Sequence, residues 1–284
     1  MGTSQSSKGS PSGVPMVPPW VPDVPDLTPP TDAPAAAPDD GDADGIPGTA
    51  PPPAPALPVV PIAPSRRFTG ARRNMGSFAG DGDKGAMRRG VGQYFKTGYG
   101  GGATAVRRFG GTAQAAGGLF GALSPGASTA NGDPLDHSVL AGRSADQIMD
   151  AIVEAVRPVD GSQDAEAGRA AIKDALSEML DRFPDADLLN LDEGQRVFAV
   201  EHFVAIDIFR RLQLDLGKVI QDKAPTVTAA MARLKEVREY VKETVAASFR
   251  KLEAAGTRLV ASVVPRIVRT AMAEAIAVFQ AYAE

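Results

Sequence analysis

The first seven residues, MGTSQSS, could carry chemistry at a free amino terminus. A small second residue favours removal of Met1, and Gly2 would then leave its amine and first carbonyl sterically open. Thr3, Ser4 and Ser6 add hydroxyl groups that donate and accept hydrogen bonds without bulk. The pattern Met1-Gly2-x-x-x-Ser6 also fits N-myristoylation, although the acidic tract that follows would weaken binding to anionic lipid. This stretch predicts a peptide that enters the active site of another protein.

A second stretch, VPMVPPWV, follows a few residues later. Its prolines limit the entropy lost on docking, and Trp20 offers a large apolar contact with an indole N–H donor. We expect this stretch to anchor the peptide on a partner protein. The predicted recognition residues are Gly2, Thr3, Ser4, Ser6, Pro15, Met16, Pro18, Pro19 and Trp20.

Four arginine pairs predict a binding surface for phosphate or for a protein partner. Between Arg66 and Arg108 there are ten basic residues and two acidic ones. Aromatic residues interleave with the arginines, and exposed aromatic side chains, which we expect here, would suit base stacking. A protein partner, including this chain's own aspartate-rich segment, is favoured over nucleic acid. The candidate residues are Arg66, Arg67, Arg72, Arg73, Arg88, Arg89, Arg107 and Arg108.

Three further patterns resemble known sites but lack essential parts. Asp40–Gly45 begins like a calcium-binding loop, but Pro51 occupies the position that requires a glutamate. Gly98–Ala103 resembles a dinucleotide fingerprint without the preceding strand or the following acid, so we expect a hinge before a helix. His202 has no catalytic motif around it and is expected to be a satisfied, partly buried histidine, while His137 lies in a loop with no evident partner.

Composition excludes several classes of function. The chain has no cysteine and two histidines, which excludes disulfides and thiolate zinc sites and argues against a multi-histidine metal site. No combination of residues resembles a catalytic constellation. No apolar run approaches the roughly 18 residues of a membrane span, and the first residues lack the apolar core of a secretory signal. We therefore expect a cytoplasmic protein that is not an enzyme and needs no cofactor, metal or membrane.

Composition also divides the chain into segments of different character. Residues 1–64 hold 18 of the 24 prolines, and seven aspartates with no basic residue lie between Asp23 and Asp44. Such a segment buries too little apolar surface to fold, so we expect a tether. The predicted organisation is a recognition peptide at 1–20, a disordered Pro/Asp-rich linker at 21–65, a basic Gly-rich segment of short helices at 66–134, and an α-helical bundle at 135–284.

Helical periodicity dominates the last part of the chain. The sequence SADQ at Ser144–Gln147 fits a capping box, and a nearly all-apolar pattern over about Asp192–Gln221 predicts a helix inside a bundle. A further helix is expected from Pro225 to Ala255 with Gly256 after its end, and another after Pro265. No segment alternates like a strand. The predicted fold is mostly α, and we expect residues 135–284 to fold without the rest.

Two blocks of the sequence resemble a known family. The opening MGTSQSSKG with VPMVPPWV, and the block GVGQYFKTGYGGGATAVRRFGGTAQAAGGLFGAL, are similar to QatB proteins of the Qat anti-phage defence system. The resemblance covers the first twenty or so residues and about Arg66–Leu123. Methionine at position 16 stands where leucine is expected.

The resemblance implies a non-enzymatic subunit of a four-component defence system. Its implied partners are an ATPase, a TatD-type nuclease and QatC, which looks like the 7-deazapurine enzyme QueC. QueC-like defence proteins imply processing of a protein N-terminus or its conjugation to a nucleobase. By the resemblance, that chemistry would fall on Gly2-Thr3-Ser4. The alternative function is a nucleic-acid-binding adaptor that uses the arginine-rich segment.

Overall fold

The computed structural model of the protein describes residues 15–17, 62–124, 135, 140–260 and 262–284. These residues form α-helices and no strand, which confirms the predicted mostly-α fold. Residues 21–61 of the predicted linker, the calcium-like loop and His137 lie outside the described residues. The helices are α1 Thr69–Asp81, α2 Lys84–Gln93, α3 Gly102–Arg108, α4 Gly110–Ala122, α5 Ala145–Val156, α6 Gln163–Arg182, α7 Glu193–Lys223, α8 Val227–Ala254 and α9 Val264–Ala281.

The helices of the C-terminal part begin where their capping residues lie. Ser144 forms the expected capping box with Gln147 at the start of α5, and Asp192 forms another with Gln195 at the start of α7. Each cap satisfies backbone N–H groups that have no partner inside the helix. Helix α8 ends shortly before Gly256, which has the positive φ that the sequence predicts for a residue following a helix. The predicted helix positions are therefore confirmed.

Helix α7 lies at the centre of the molecule. It packs against α6 on one side and α8 on another, and α1 and α4 cover much of the remaining surface. Its buried side chains run around the helix instead of along one stripe, as the apolar sequence pattern predicts for an interior helix. In the described part of the chain, no helix combines the length and the apolar character of a bilayer span.

Helices α1–α4 of the basic Gly-rich segment belong to the same hydrophobic core as the bundle. The interleaved aromatic residues are at most 5% exposed, so the expectation that they are exposed for base stacking is wrong. Their partners are other aromatic rings of the chain; Phe95, for example, stacks on Phe279 of α9 at 5.4 Å between ring centroids. The buried aromatic residues are Phe68, Phe78, Tyr94, Phe95, Tyr99 and Phe109.

Glycines in this segment allow helices to approach closely. A Cβ atom at Gly92 of α2 would lie 2.6 Å from the carbonyl oxygen of Phe279, and one at Gly117 of α4 would lie 2.7 Å from the ring of Pro265. Any side chain at Gly92 would push α2 away from the backbone of α9. The glycine density of this segment is thus explained at these positions by close packing against α9 and Pro265 of the same chain.

This shared core bears on the predicted boundary at residue 134. A fragment of residues 135–284 would lose α1–α4 and expose the faces of α7 and α9 that they cover. We now expect that fragment to lack a cooperative thermal transition by circular dichroism, whereas residues 62–284 should melt cooperatively. A cooperative melt of residues 135–284 at the temperature of the longer fragment would contradict the shared core and restore the original boundary.

Candidate functional site

The described part of the predicted recognition peptide is docked on its own chain. Pro15 lies opposite Ile62 in an isolated antiparallel β-bridge. Met16 is 3% exposed and Val17 is 9% exposed, so both side chains are buried. Burying side chains of this size contributes about 1.5–3 kcal/mol each. Met16 is thus buried within its own chain, and the predicted contact of Met16 with a partner protein stays a prediction.

A glycine turn forms the seat of Met16. Gly100 has φ of 71°, a conformation that side-chain-bearing residues rarely adopt, and a Cβ there would lie 3.1 Å from the Met16 sulfur. The turn follows a π-helical stretch, Tyr94–Gly98, and precedes α3. The dinucleotide-like glycines thus form the expected turn before a helix, and no strand precedes them in the described residues.

A cluster of aromatic rings and one carboxylate lies beneath this turn. Phe68 stacks on Tyr94 at 5.1 Å and meets Tyr99 edge to face at 5.7 Å. The Tyr94 hydroxyl donates to Asp215 Oδ2 at 3.0 Å, and the Tyr99 hydroxyl lies 3.4 Å from the same oxygen. The cluster holds Tyr99, which precedes Gly100, and its hydrogen bonds to Asp215 join the basic segment to α7.

The ionisation of this cluster follows from its burial. Burial raises the pKa of Tyr99 to about 12, and the charge of Asp215 acts in the same direction. Burial also raises the pKa of Tyr94, with Tyr99 and Asp215 contributing. The pKa of Asp215 is raised by burial, against the Tyr94 hydrogen bond and nearby Arg67. Both tyrosines therefore keep their protons at neutral pH and serve as hydrogen-bond donors.

The eight candidate arginines differ in their contacts and in their exposure. Arg67 lies over the Phe68 ring at 4.7 Å, and Arg89 pairs with Asp83 at 3.2 Å. Arg88 is exposed and lies 5.4 Å from the ring of Tyr282. The others divide by exposure. Arg66 and Arg73 are exposed, whereas Arg72, Arg107 and Arg108 are half-buried.

Arg108 belongs to a buried ionic network. It donates to Asp164 Oδ2 at 2.7 Å, and Arg211 donates to the same oxygen at 3.1 Å. Arg211 Nε also donates to Asp207 Oδ2 at 3.2 Å, and Thr112 donates to that oxygen at 2.5 Å. Although burial works against ionisation, Arg211 and Arg108 hold the pKa of Asp164 below its ordinary value. The network ties α3 and α4 to α6 and α7, so Arg108 is structural.

His202 is satisfied, as the sequence predicts. Its Nδ1 lies 2.8 Å from Glu178 Oε2, and its ring stacks on Phe198. Arg238 and Lys242 also donate to Glu178. Burial lowers the pKa of His202 despite the hydrogen bond to Glu178. This arrangement links α6, α7 and α8, and it presents no nucleophile.

An open cleft of about 580 Å³ lies beside the start of α6, lined by Ser162, Arg210 and Lys218 among others. Arg210 pairs with Asp174 at 2.7 Å, and Lys218 pairs with Asp222 at 2.9 Å. Because both cations have carboxylate partners, the cleft offers little charge to an anion. Histidine and carboxylate side chains also form no cluster that could hold a metal ion within the described ranges.

Comparison with known families now decides the identity. A model of the family described as Qat anti-phage system associated protein QatB matches residues 100–279. The chain belongs to the QatB family. QatB proteins are components of the Qat anti-phage system, and this QatB matches no curated protein and no solved structure.

The matched region differs from the region in which the resemblance is visible by eye. It begins at the glycine turn that seats Met16 and ends in α9, so it includes the helices that resemble the family only in kind. Of the two resembling blocks, the opening one lies outside the match, and residues 100–123 of the second lie within it. The opening peptide of this QatB lies outside the match.

Sequence reasoning missed the partners of the docked peptide. Ile62 and Gly100 contact residues 15–17, yet they lie far from them in the sequence. The available signal was the apolar pair Met16 and Val17 between prolines, because apolar side chains in an extended segment can be buried only against another surface. Pro15 is exposed, and Pro18, Pro19, Trp20 and Gly2–Ser6 lie outside the described residues.

Proposed function

We propose that this QatB protein is a non-enzymatic subunit whose N-terminal peptide is bound by QatC and modified at Gly2. The modification is either hydrolysis of a peptide bond near Gly2, which shortens the chain, or conjugation of the N-terminus to a nucleobase. Membership of the QatB family supports the Qat system as the setting. QatC is the QueC-like partner that the resemblance implies.

One observation carries the proposal. Met16 and Val17 are buried on the helical body, so the sequence before Pro15 starts from a fixed point of that body. The sequence there contains small and hydroxyl-bearing residues beside Gly2, which suit a narrow polar channel. The helical body contributes ion pairs and a packed core that hold this point in place.

The same proposal covers the other components. The ATPase and the TatD-type nuclease of the system are further partners, and the assembly acts in the cytoplasm, where phage replicate. Nucleic-acid binding by the arginine-rich segment is not favoured, because the aromatic rings that would stack on bases lie in the core. The proposal that the chain is not an enzyme rests on the absence of a catalytic constellation in its sequence.

Deleting residues 2–13 tests the role of the peptide while keeping the docked residues. We expect the shortened chain to bind purified QatC at least about tenfold more weakly than the full chain, a loss of about 1.4 kcal/mol. Isothermal titration calorimetry measures the affinity, and unchanged thermal melting of the shortened chain shows that its core is intact.

Ionic strength gives a second arm of the same experiment. If the arginine-rich segment bound a nucleic acid through six or more phosphate contacts, that binding would weaken by about 10³-fold or more between 50 and 200 mM salt. The affinity of the N-terminal peptide for QatC should change much less, because the peptide carries few charges. Equal affinity of the full and shortened chains for QatC would overturn the peptide as the recognition element.

A further inference from the structure

We propose that residues 15–17 form an intramolecular anchor that holds the root of the N-terminal peptide on the helical body. The seat consists of Ile62, Ala63 and the glycine turn at Gly100. Its ligand is the short apolar segment Pro15–Val17 of the same chain. The anchor stands on its own geometry, whereas its use in presenting Gly2 rests on the proposed function.

Three observations place the peptide in this seat. Pro15 and Ile62 form an isolated antiparallel β-bridge. Met16 is buried against Gly100, whose positive φ and missing side chain leave room for the methionine sulfur. Ala63, next to Ile62, is 2% exposed, so both partners of the bridge are followed by buried residues. Backbone pairing and side-chain burial therefore act together at one point.

The anchor changes the connection between the peptide and the body. Residues 18–61 leave from Val17 and return at Ile62, and the bridge brings these two ends together. Because the bridge holds the start of the peptide on the body, the length of residues 18–61 does not set the distance between Gly2 and the body.

The consequence for Gly2 is a shorter reach. Pro15 lies thirteen positions after Gly2, which limits their distance to about 45 Å in a fully extended chain. Without the anchor, the first fixed residue would be Ile62, sixty positions after Gly2, which allows about 200 Å. The effective concentration of a flexible segment falls as about the −3/2 power of its length, so the anchor raises that of Gly2 at a partner bound to the body by roughly tenfold.

Engineered cysteines test the anchor directly, because the chain has none of its own. Proline has no N–H, so Pro15 and Ile62 form a non-hydrogen-bonded pair with Cα atoms about 4.5 Å apart, within the range of a disulfide. Both residues are exposed and tolerate substitution. The full-length double variant Pro15→Cys, Ile62→Cys should form an intramolecular disulfide under mild oxidation, detected by non-reducing electrophoresis and mass spectrometry.

Adding Met16→Asp to the cysteine pair gives the matched control. It removes the buried methionine and leaves both cysteines in place, so disulfide formation should slow at least about tenfold. Equal rates with and without the Met16→Asp change would overturn the anchor, as would failure of the original pair to form a disulfide. Neither result depends on QatC, so failure of the anchor and failure of the proposed function are distinguishable.

Deleting residues 24–55 tests the use of the anchor. With the anchor in place, the shortened excursion still joins Val17 to Ile62, and protection by the complete Qat system should be unchanged within about threefold. Loss of protection, with the cysteine pair still forming its disulfide in the deleted chain, would show that the length of residues 18–61 sets the reach and would overturn presentation by the anchor.

Discussion

Changing Gly2 to glutamate is expected to remove protection against phage as completely as deleting QatC. A glutamate disfavours removal of Met1, so the amine of residue 2 stays within a peptide bond. It also places a bulky negative charge where the proposed channel must accept a residue without a side chain. The efficiency of plating in cells carrying all four Qat components measures the effect.

Gly9→Glu is the matched control for this change. It introduces the same side chain into the same peptide, between Gly2 and the anchor. Protection should survive Gly9→Glu and fail with Gly2→Glu, while both chains accumulate to the level of the unaltered protein. Full protection by the Gly2→Glu chain would contradict modification at Gly2.

Changing Asp207 to alanine is expected to destabilise the fold by about 3–5 kcal/mol. Asp207 is 1% exposed and accepts hydrogen bonds from Thr112 and Arg211, and Arg211 is 6% exposed. Removing the carboxylate leaves a buried guanidinium with Asp164 as its remaining carboxylate partner. For a protein of this size, such a loss lowers the melting temperature by roughly 10 °C or more, measurable by differential scanning calorimetry.

Asp222→Ala is the control for that experiment. Lys218 and Asp222 form an ion pair on the same helix with the same i,i+4 spacing as Asp207 and Arg211, but both are about half exposed. Exposed pairs contribute about 0–1 kcal/mol, so the melting temperature should shift by only a few degrees. Equal shifts for Asp207→Ala and Asp222→Ala would show that the buried network does not hold α4 and α7 together.

Local signals in the sequence predict the helices well. The capping boxes at Ser144 and Asp192 and the glycine after α8 mark helix ends because they satisfy backbone groups within a few residues. The interior position of α7 also follows from its own residues, since a helix without a polar face must be covered on all sides.

The role of the basic Gly-rich segment could not be predicted in this way. Arginine beside aromatic residues has the same local pattern whether the rings are exposed or buried. The burial of Phe95 depends on Phe279, which lies far along the chain, and the glycine at position 92 makes sense only beside the backbone of α9. Interactions at this sequence separation leave no periodic signal.

The anchor was missed for a related reason. Proline-rich composition predicts extension and little burial, but Met16 and Val17 are buried, and their seat is supplied by Ile62 and Gly100. The sequence identified Met16 as an apolar contact and assigned that contact to another protein. A single chain offers no local means of distinguishing these two partners.

Intact-mass spectrometry of the chain after co-expression with QatC tests the central claim most directly. The account predicts that the unaltered chain departs from the mass expected after loss of Met1, by truncation or by an added group that fragmentation places within residues 1–14. The Gly2→Glu chain should show neither change. Loss of Met1 alone in the unaltered chain, with QatC present and active, would contradict the account.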